Sequence, residues 1–139
     1  MKQIRSIFIL MAIFLMTGCG KSKDDLNELI LGEWQLIGVY GEKADNTHGW
    51  IIVQDSPIQT TRFLSNGQYS LATDGVIKCN GYYTFESPEK VRMNPHECMP
   101  RFQSLETIFK LTKDSLIISN SSLPFLSTLY QKELYLRLN

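Results

Sequence analysis

The sequence has no excess of charge of either sign and no apolar run long enough to cross a bilayer. Its 139 residues include fourteen basic and fourteen acidic side chains, so the formal net charge is zero. Nucleic-acid binding draws on basic side chains that displace counterions, and we therefore expect no nucleic-acid partner. A membrane-spanning helix needs about twenty apolar residues, and Gly18 and Gly20 interrupt the one long apolar run before that length.

Motifs that mark common catalytic and cofactor sites are also missing. The sequence contains no GxSxG, P-loop, HExxH or CxxC motif, and its histidines are His48 and His96. Such motifs position nucleophiles, phosphates and metals. A thiolate nucleophile formed from His96 with Cys79 or Cys98 would need reduced thiols. We therefore expect neither an enzyme nor a cofactor.

What the sequence does contain begins with a signal-like N-terminus. Lys2 and Arg5 precede ten apolar residues at 7–16, "IFILMAIFLM". A short basic region followed by an apolar run of this length is typical of a cleaved secretory signal peptide. The remaining chain, 43% hydrophobic over the whole sequence, is long enough for one compact domain.

Directly after the apolar run, the small residues Thr17 and Gly18 precede Cys19. This order resembles a bacterial lipobox, although Met16 stands where leucine is usual. The resemblance implies that residues 1–18 are removed and that Cys19 carries diacylglycerol and a further acyl chain such as palmitate. An ordinary secretory signal that happens to contain a cysteine is the alternative.

The residues after Cys19 predict where the protein is held. Residues 19–28 are polar, as in a flexible tether, and several acyl chains on one residue anchor a protein stably to a membrane. Lys23, Asp24 and Asp25 resemble the export signal of Bacteroidota lipoproteins, which implies the outer membrane and the cell surface of a Gram-negative bacterium. A merely solvated tether is the alternative. The folded domain is expected at 29–139.

Acylation of Cys19 leaves two cysteines, Cys79 and Cys98. An even number in an oxidising compartment favours a disulfide. Closing a loop of about twenty residues stabilises a domain by roughly 3 kcal/mol in the chain-entropy model. Two alternatives remain open: two buried free thiols, and a metal site that includes His96, although structural zinc sites normally have four protein ligands.

The mature chain consists of short strand-like segments. In "GEWQLIGVYG", alternation places Trp34, Leu36 and Tyr40 on one face and Val39 on the other. Near the C-terminus, "ELYLRL" places alternate leucines on one face. No amphipathic helix longer than about two turns is evident.

Turn signals separate these segments at short intervals. Asn66-Gly67 predicts a hairpin, and Asp74-Gly75 and Asn80-Gly81 repeat the signal. These two are too close for two hairpins, so Gly81 is expected to form a bulge in a strand over residues 76–86. Lys113-Asp114 predicts a further hairpin. The pattern predicts an all-β fold, an antiparallel meander of about eight strands closed or nearly closed into a barrel.

A family resemblance accompanies this pattern. "LILGEWQLIGV", with Gly32 and Trp34, resembles the first strand of lipocalin-like domains. The following order "FLSNGQYS", "CNGYYTF" and "DSLIIS" is similar to small lipocalin-like lipoproteins of Bacteroidota, and "KCNGYY" with "ECMP" also resembles META-domain proteins. The resemblance implies a lipocalin-like barrel in which Trp34 packs across the closed end.

A barrel of this kind can hold a small hydrophobic ligand at its open end. The loop at residues 41–49 matches the position of the family's first loop, which often covers the cavity mouth. For each candidate lining residue, ordinary core packing is the alternative. The candidates are Tyr40, Trp50, Phe63, Tyr69 and Tyr83.

The other functional hypothesis is a surface interaction or structural module with a packed interior. Its outer face or loops would bind a protein or a glycan, which requires no cavity and leaves no short motif. Tyr82, Tyr130 and Tyr135 are the aromatic residues proposed for such a surface.

Overall fold

The computed structural model describes residues 22–53, 57–98, 103–119 and 130–138, which form one helix and nine strands. The predicted signal peptide and Cys19 lie outside the described residues. The elements in chain order are α1 (Lys23–Ile30), β1 (Gly32–Glu42), β2 (His48–Ile52), β3 (Gln59–Phe63), β4 (Gln68–Thr73), β5 (Val76–Ser87), β6 (Lys90–Asn94), β7 (Ser104–Leu111), β8 (Ser115–Ser119) and β9 (Tyr130–Arg137).

The strands form one antiparallel sheet that closes on itself. Its order is β1-β3-β4-β5-β6-β7-β8-β9, and β9 pairs again with β1 from Trp34↔Arg137 to Gly41↔Tyr130. β3 and β2 pair with the same edge of β1, β3 with its first half and β2 with its second half. β2 therefore does not count as a ninth strand around the barrel. The described residues therefore form a closed eight-stranded barrel, which confirms the predicted fold class.

The two ends of the barrel are built from different connections. Strand directions place α1 and the turns β3–β4, β5–β6 and β7–β8 at one end, which we call the lower end. The turns β1–β2 and β4–β5 lie at the upper end, where β6 and β8 also finish and β7 and β9 begin. The α1 helix is thus associated with the lower end alone.

The α1 helix has Ser22 as its N-cap residue and buries one face. The amide of Asp25 donates to Ser22 Oγ (3.2 Å), and the amide of Ser22 donates to Asp25 Oδ2 (3.0 Å), which completes a capping box. Leu26 and Ile30, four residues apart on one face, are buried. Residues 23–28, predicted as part of a flexible tether, therefore belong to the folded domain. The sequence did not reveal this apolar face, because its two residues are buried only where the end of the barrel covers them.

Trp34 and Arg137 close the lower end against α1. Trp34 is fully buried, and its indole Nε1 donates to the carbonyl oxygen of Ile30 at 2.7 Å. The Arg137 guanidinium lies 4.4 Å from the centre of the indole ring and donates to the carbonyl oxygens of Leu29 and Leu31. The position of Trp34 agrees with the packing role that the family resemblance implied.

The predicted hairpin turns are confirmed where their glycines need positive φ. Gly67 has φ +78° in the β3–β4 turn, and Asp74 and Gly75 have φ +51° and +75° in the β4–β5 turn. Lys113 and Asp114 lie in the turn between β7 and β8. Turn chemistry is local, so short sequence motifs were sufficient to predict these connections.

The prediction of a bulge at Gly81 is wrong. Gly81 lies inside β5 and pairs regularly with Tyr69, and the irregularity falls instead between the pairs Leu71↔Cys79 and Ala72↔Ile77. A Cβ atom at Gly81 would clash with the carbonyl oxygen of Asn94. The glycine is needed because a neighbouring backbone approaches closely, a tertiary contact that the sequence could not reveal.

A bulge in β1 changes the face that its second half presents to the core. Trp34 and Leu36 are buried, as predicted, but the register with β9 shifts between Leu36 and Gly38. After this shift Val39 packs against the core, so that its neighbour Tyr40 lies on the outer face. The prediction that Tyr40 shares a face with Trp34 is therefore wrong, because a bulge interrupts the period of two.

The leucine stripe of β9 faces outward. Leu136 and Leu138 are 43% and 41% exposed, whereas Tyr135, directly before Leu136, is 8% exposed. Glu133 pairs with Ile118, a buried residue of β8, and so lies on the same inner face as Tyr135. A strand that appears apolar on one side thus turns its polar side to the barrel interior.

Candidate functional site

The barrel interior contains a group of polar side chains among apolar ones. Strands β3, β7, β8 and β9 supply these polar groups, which we call the interior polar cluster. The cluster consists of Thr61, Glu106, Ser119, Glu133 and Tyr135.

Glu106 is the most deeply buried member of the cluster, with 1% of its surface exposed. Its Oε2 accepts a hydrogen bond from Ser119 Oγ at 2.7 Å. The same serine oxygen accepts from the amide of Thr107 at 2.7 Å. The Ser119 side chain therefore accepts a hydrogen bond from the backbone of β7 and at the same time donates one to the Glu106 carboxylate on the same strand.

Glu133 and Tyr135 form the second part of the cluster. The Tyr135 hydroxyl donates to Glu133 Oε2 at 2.6 Å and is also hydrogen-bonded to the side chain of Thr61. Burial raises the pKa of Glu133, an effect that the hydrogen bond from Tyr135 opposes and the negative charge of Glu106 reinforces. Burial, together with Glu133, raises the pKa of Tyr135 well above its usual value, so the phenol is neutral.

Carboxylates inside a barrel are costly unless hydrogen bonds compensate for the water that they lose. Here the compensating donors are hydroxyl groups of Ser119 and Tyr135. Acceptor oxygens held in this way can receive a hydrogen bond from an N–H, O–H or cationic group of a small molecule. The cluster therefore provides a polar attachment point within apolar walls.

Three of the predicted lining residues lie side by side within the core. The ring of Phe63 lies 6.1 Å from that of Tyr69 and 5.0 Å from that of Tyr83, and Tyr83 donates its hydroxyl to the carbonyl oxygen of Leu64 at 3.0 Å. Burial, with a smaller effect of Glu106, raises the pKa of Tyr69 to about 12. Their contact with a ligand stays a prediction.

The other two candidates, Tyr40 and Trp50, lie together on the opposite face of the sheet. Their ring centres are 5.5 Å apart in an edge-to-face arrangement, and Trp50 is 36% exposed. Lys132 Nζ lies 5.5 Å from the centre of the Tyr40 ring. The connection next to them covers residues 43–47, so both ends of the predicted loop at 41–49 belong to strands.

The aromatic residues predicted for an outer surface separate in the same way. Tyr82 is 51% exposed, as that hypothesis requires, whereas Tyr135 is buried in the interior polar cluster. Its assignment to the surface was wrong because the leucines that alternate with Tyr135 in this part of the chain face outward. The side chain of Tyr130 lies outside the part of the chain that the structure describes.

Cys79 and Cys98 form a disulfide, with their Cα atoms 5.5 Å apart. This pairing confirms the favoured prediction and excludes two free thiols and a metal site at these cysteines. Elsewhere in the described residues no three His, Cys, Asp or Glu side chains come together as metal ligands. The disulfide joins β5 to the turn that follows β6.

Sequence reasoning missed Glu106 and Glu133 altogether. Each lies in a strand whose residues alternate between polar and apolar, and a polar position in such a strand normally faces solvent. The available signal was Glu133 and Tyr135, two residues apart and opposite a row of leucines. That signal could not say which of the two faces is inside.

Comparison with known proteins gives a match in structure alone. No protein-family model and no curated protein matches the sequence. A solved lipocalin-like protein from Bacteroides uniformis superimposes with a TM-score of 0.53 at 15% identity, over 79% of this chain and 99% of that protein. The chain therefore has a lipocalin-like fold. None of its described helices is long and apolar enough to traverse a bilayer.

Proposed function

We propose that the protein binds a small, largely apolar ligand inside its barrel and is held at the outer membrane through lipid on Cys19. The lipocalin-like fold supports a ligand-binding module. The observation that carries the proposal is the interior polar cluster, which lies above a lower end closed by α1, Trp34 and Arg137. The proposal assigns binding and no catalytic step.

The chemistry of the cluster narrows the ligand. Apolar walls favour an apolar body through the area removed from water, while Glu106 and Glu133 contribute acceptor oxygens. A ligand that brings one N–H, O–H or cationic group can donate a further hydrogen bond to a carboxylate oxygen of the cluster, because a carboxylate oxygen accepts more than one. A purely hydrocarbon ligand fits this interior less well.

Native mass spectrometry of the full chain, purified from membranes in detergent, tests the binding. We expect a co-purified small molecule of defined mass. Tyr135→Phe removes the hydroxyl that orients Glu133 and is expected to lower ligand occupancy several-fold, since one hydrogen bond contributes about 1 kcal/mol. Tyr82→Phe removes a hydroxyl on the exposed outer face and is the matched control. Wild-type protein that carries no small molecule, with an interior filled by side chains, would contradict the proposal.

The membrane anchor is tested by Cys19→Ala. The basic and apolar residues before this cysteine and the small residues next to it support the anchor. Loss of the acyl chains is expected to move the protein from the membrane fraction to the soluble fraction. Replacement of Cys98, a cysteine of the disulfide, with serine should leave the protein in the membrane fraction. Membrane retention of Cys19→Ala would rule out the anchor.

A further inference from the structure

The outer face of β3, β4 and β5 carries a groove that is separate from the barrel interior. Its volume is about 350 Å³, at the lower end of the range for small-molecule sites. Arg62 pairs across the sheet with Ser70, and Ser70 pairs with Asn80. The buried residues Cys79 and Gly81 on either side of Asn80 show that this row faces outward.

The wall of the groove is a turn fixed to β5 at several points. The Cys79–Cys98 disulfide joins the turn to the strand. Asn80 Nδ2 donates to Glu97 Oε2 at 2.7 Å, and the amide of Glu97 donates to the carbonyl oxygen of Asn80 at 3.3 Å. These contacts hold Glu97 over the sheet before any ligand arrives, which lowers the entropy cost of binding.

Tyr82 provides an aromatic surface in the same groove. Half of its side chain, 51%, is exposed, and the His96 ring meets it edge-on at 6.3 Å between ring centres. The groove is lined by both rings, and by Gln68, the cross-strand neighbour of Tyr82. An exposed ring with a polar tip suits a ligand that has both an apolar face and hydroxyl groups.

The charges and hydrogen-bonding groups point to a neutral ligand. Arg62 and Glu97 contribute one charge of each sign, so the groove attracts neither anions nor cations strongly. The amides of Gln68 and Asn80 and the hydroxyl of Ser70 add both donors and acceptors. Sugar hydroxyls also donate and accept at once, and the C–H face of a sugar ring can lie on an aromatic ring.

A peptide fits the groove less well. An extended peptide usually binds by adding a strand to a free sheet edge. Both edges of β4 and of β5 are already paired, with β3, β5 and β6, so the groove offers no backbone ladder to a peptide. We propose that this groove binds a neutral saccharide, with Tyr82 stacking on a sugar ring and Arg62 and Glu97 hydrogen-bonding to its hydroxyl groups.

A printed array of neutral oligosaccharides, probed with the full chain in detergent, tests the proposal. We expect binding to a subset of neutral oligosaccharides. With the strongest of these as titrant, Tyr82→Ala should raise the dissociation constant at least about tenfold, the loss of affinity expected for an aromatic hot spot. Phe109→Ala is the matched control, because Phe109 is 52% exposed and lines no part of the groove, and its affinity should equal that of the wild type.

Two further variants separate the stacking from the hydrogen bonds. Tyr82→Phe keeps the ring and should retain most of the affinity, whereas Arg62→Ala should weaken binding. Arg92→Ala is the control for Arg62→Ala and should leave binding unchanged, because it alters an ion pair with Glu86 outside the groove. Unchanged melting temperatures would show that the variants are folded. The proposal is overturned if the array shows no neutral saccharide bound, if Tyr82→Ala binds as tightly as the wild type, or if Tyr82→Phe loses as much affinity as Tyr82→Ala. These readouts do not depend on whether a ligand occupies the barrel interior.

Discussion

Glu133 is a carboxylate whose surroundings favour its protonated form. It lies on the inner face of β9, opposite Ile118, with Tyr135 as its hydrogen-bond donor. Burial is the largest cause of its raised pKa, and Glu106 adds to the rise. Because the native state binds a proton here more tightly than the unfolded chain, stability falls as pH rises from the unfolded pKa, near 4.5, through the native pKa.

Glu133→Gln should remove this dependence. The amide cannot ionise, and its oxygen can still accept from Tyr135. We expect the variant to have a higher melting temperature than the wild type at pH 7 and little difference at pH 4, where both side chains are uncharged. Thermal unfolding followed by circular dichroism at the two pH values provides the measurement.

Glu89→Gln is the control, because Glu89 is exposed and its substitution should not change the pH profile. A Glu133→Gln variant that is less stable than the wild type at pH 7 would mean that the ionised carboxylate stabilises the fold, contrary to its environment.

At the level of the elements, the α1 helix and β9 stabilise each other through one side chain. Arg137 reaches from the end of β9 to carbonyl oxygens at the end of α1 and to that of Lys113 in the β7–β8 turn. The carbonyls of a helix's last turn have no partner within the helix. Arg137 thus satisfies them while its guanidinium covers the ring of Trp34.

Arg137→Lys should weaken this closure although it keeps the charge. A lysine cannot reproduce the planar fork that serves several carbonyls at once, and we expect the free energy of unfolding to fall by about 1–3 kcal/mol. Arg92→Lys, at an exposed ion pair, should cost at most about 1 kcal/mol. Urea denaturation measures both variants, and equal losses would argue against a special role for Arg137.

For the molecule as a whole, the disulfide links the sheet to the turn after β6, which lies outside the paired strands of the barrel. Cys79 lies in β5, and Cys98 lies nineteen residues later, after β6. A cross-link of this length restricts the unfolded chain more than the folded one. It also fixes the wall of the outer groove.

Replacement of both cysteines, Cys79→Ser with Cys98→Ser, should lower the free energy of unfolding by about 3 kcal/mol. Thermal unfolding with and without a reductant checks this. The reductant should lower the melting temperature of the wild type toward that of the double variant and leave the double variant unchanged. A wild type insensitive to complete reduction would show that the cross-link does not contribute to stability.

Features that depend on neighbours in the chain were predictable. The hairpin at Asn66-Gly67 and the turn at Lys113-Asp114 follow from residues that tolerate the required backbone angles. The closed barrel followed from the spacing of the turn signals and the periodicity of the strands. The disulfide followed from the count of cysteines and the expected compartment.

Features that depend on contacts across the barrel could not be predicted from the sequence. The faces of Tyr40 and Val39 were exchanged because a bulge in β1 is set by its register with β9. The helix over Lys23–Ile30 resembled a polar tether, since its two buried residues need the barrel end to cover them. Gly81 resembled a turn residue, and only the approach of the Asn94 carbonyl explains it.

The sequence by itself determined the succession of strands and turns and the prediction of a lipid anchor at Cys19, because both depend on short stretches of chain. Only the tertiary structure decided which face of each strand is interior. It placed Glu106 and Glu133 inside the barrel and Tyr82 outside it, because inside and outside exist only after β9 pairs with β1 and the barrel closes. A polar residue in an alternating strand has the same local pattern on either side of the sheet, and closure of the barrel decides which side becomes the interior.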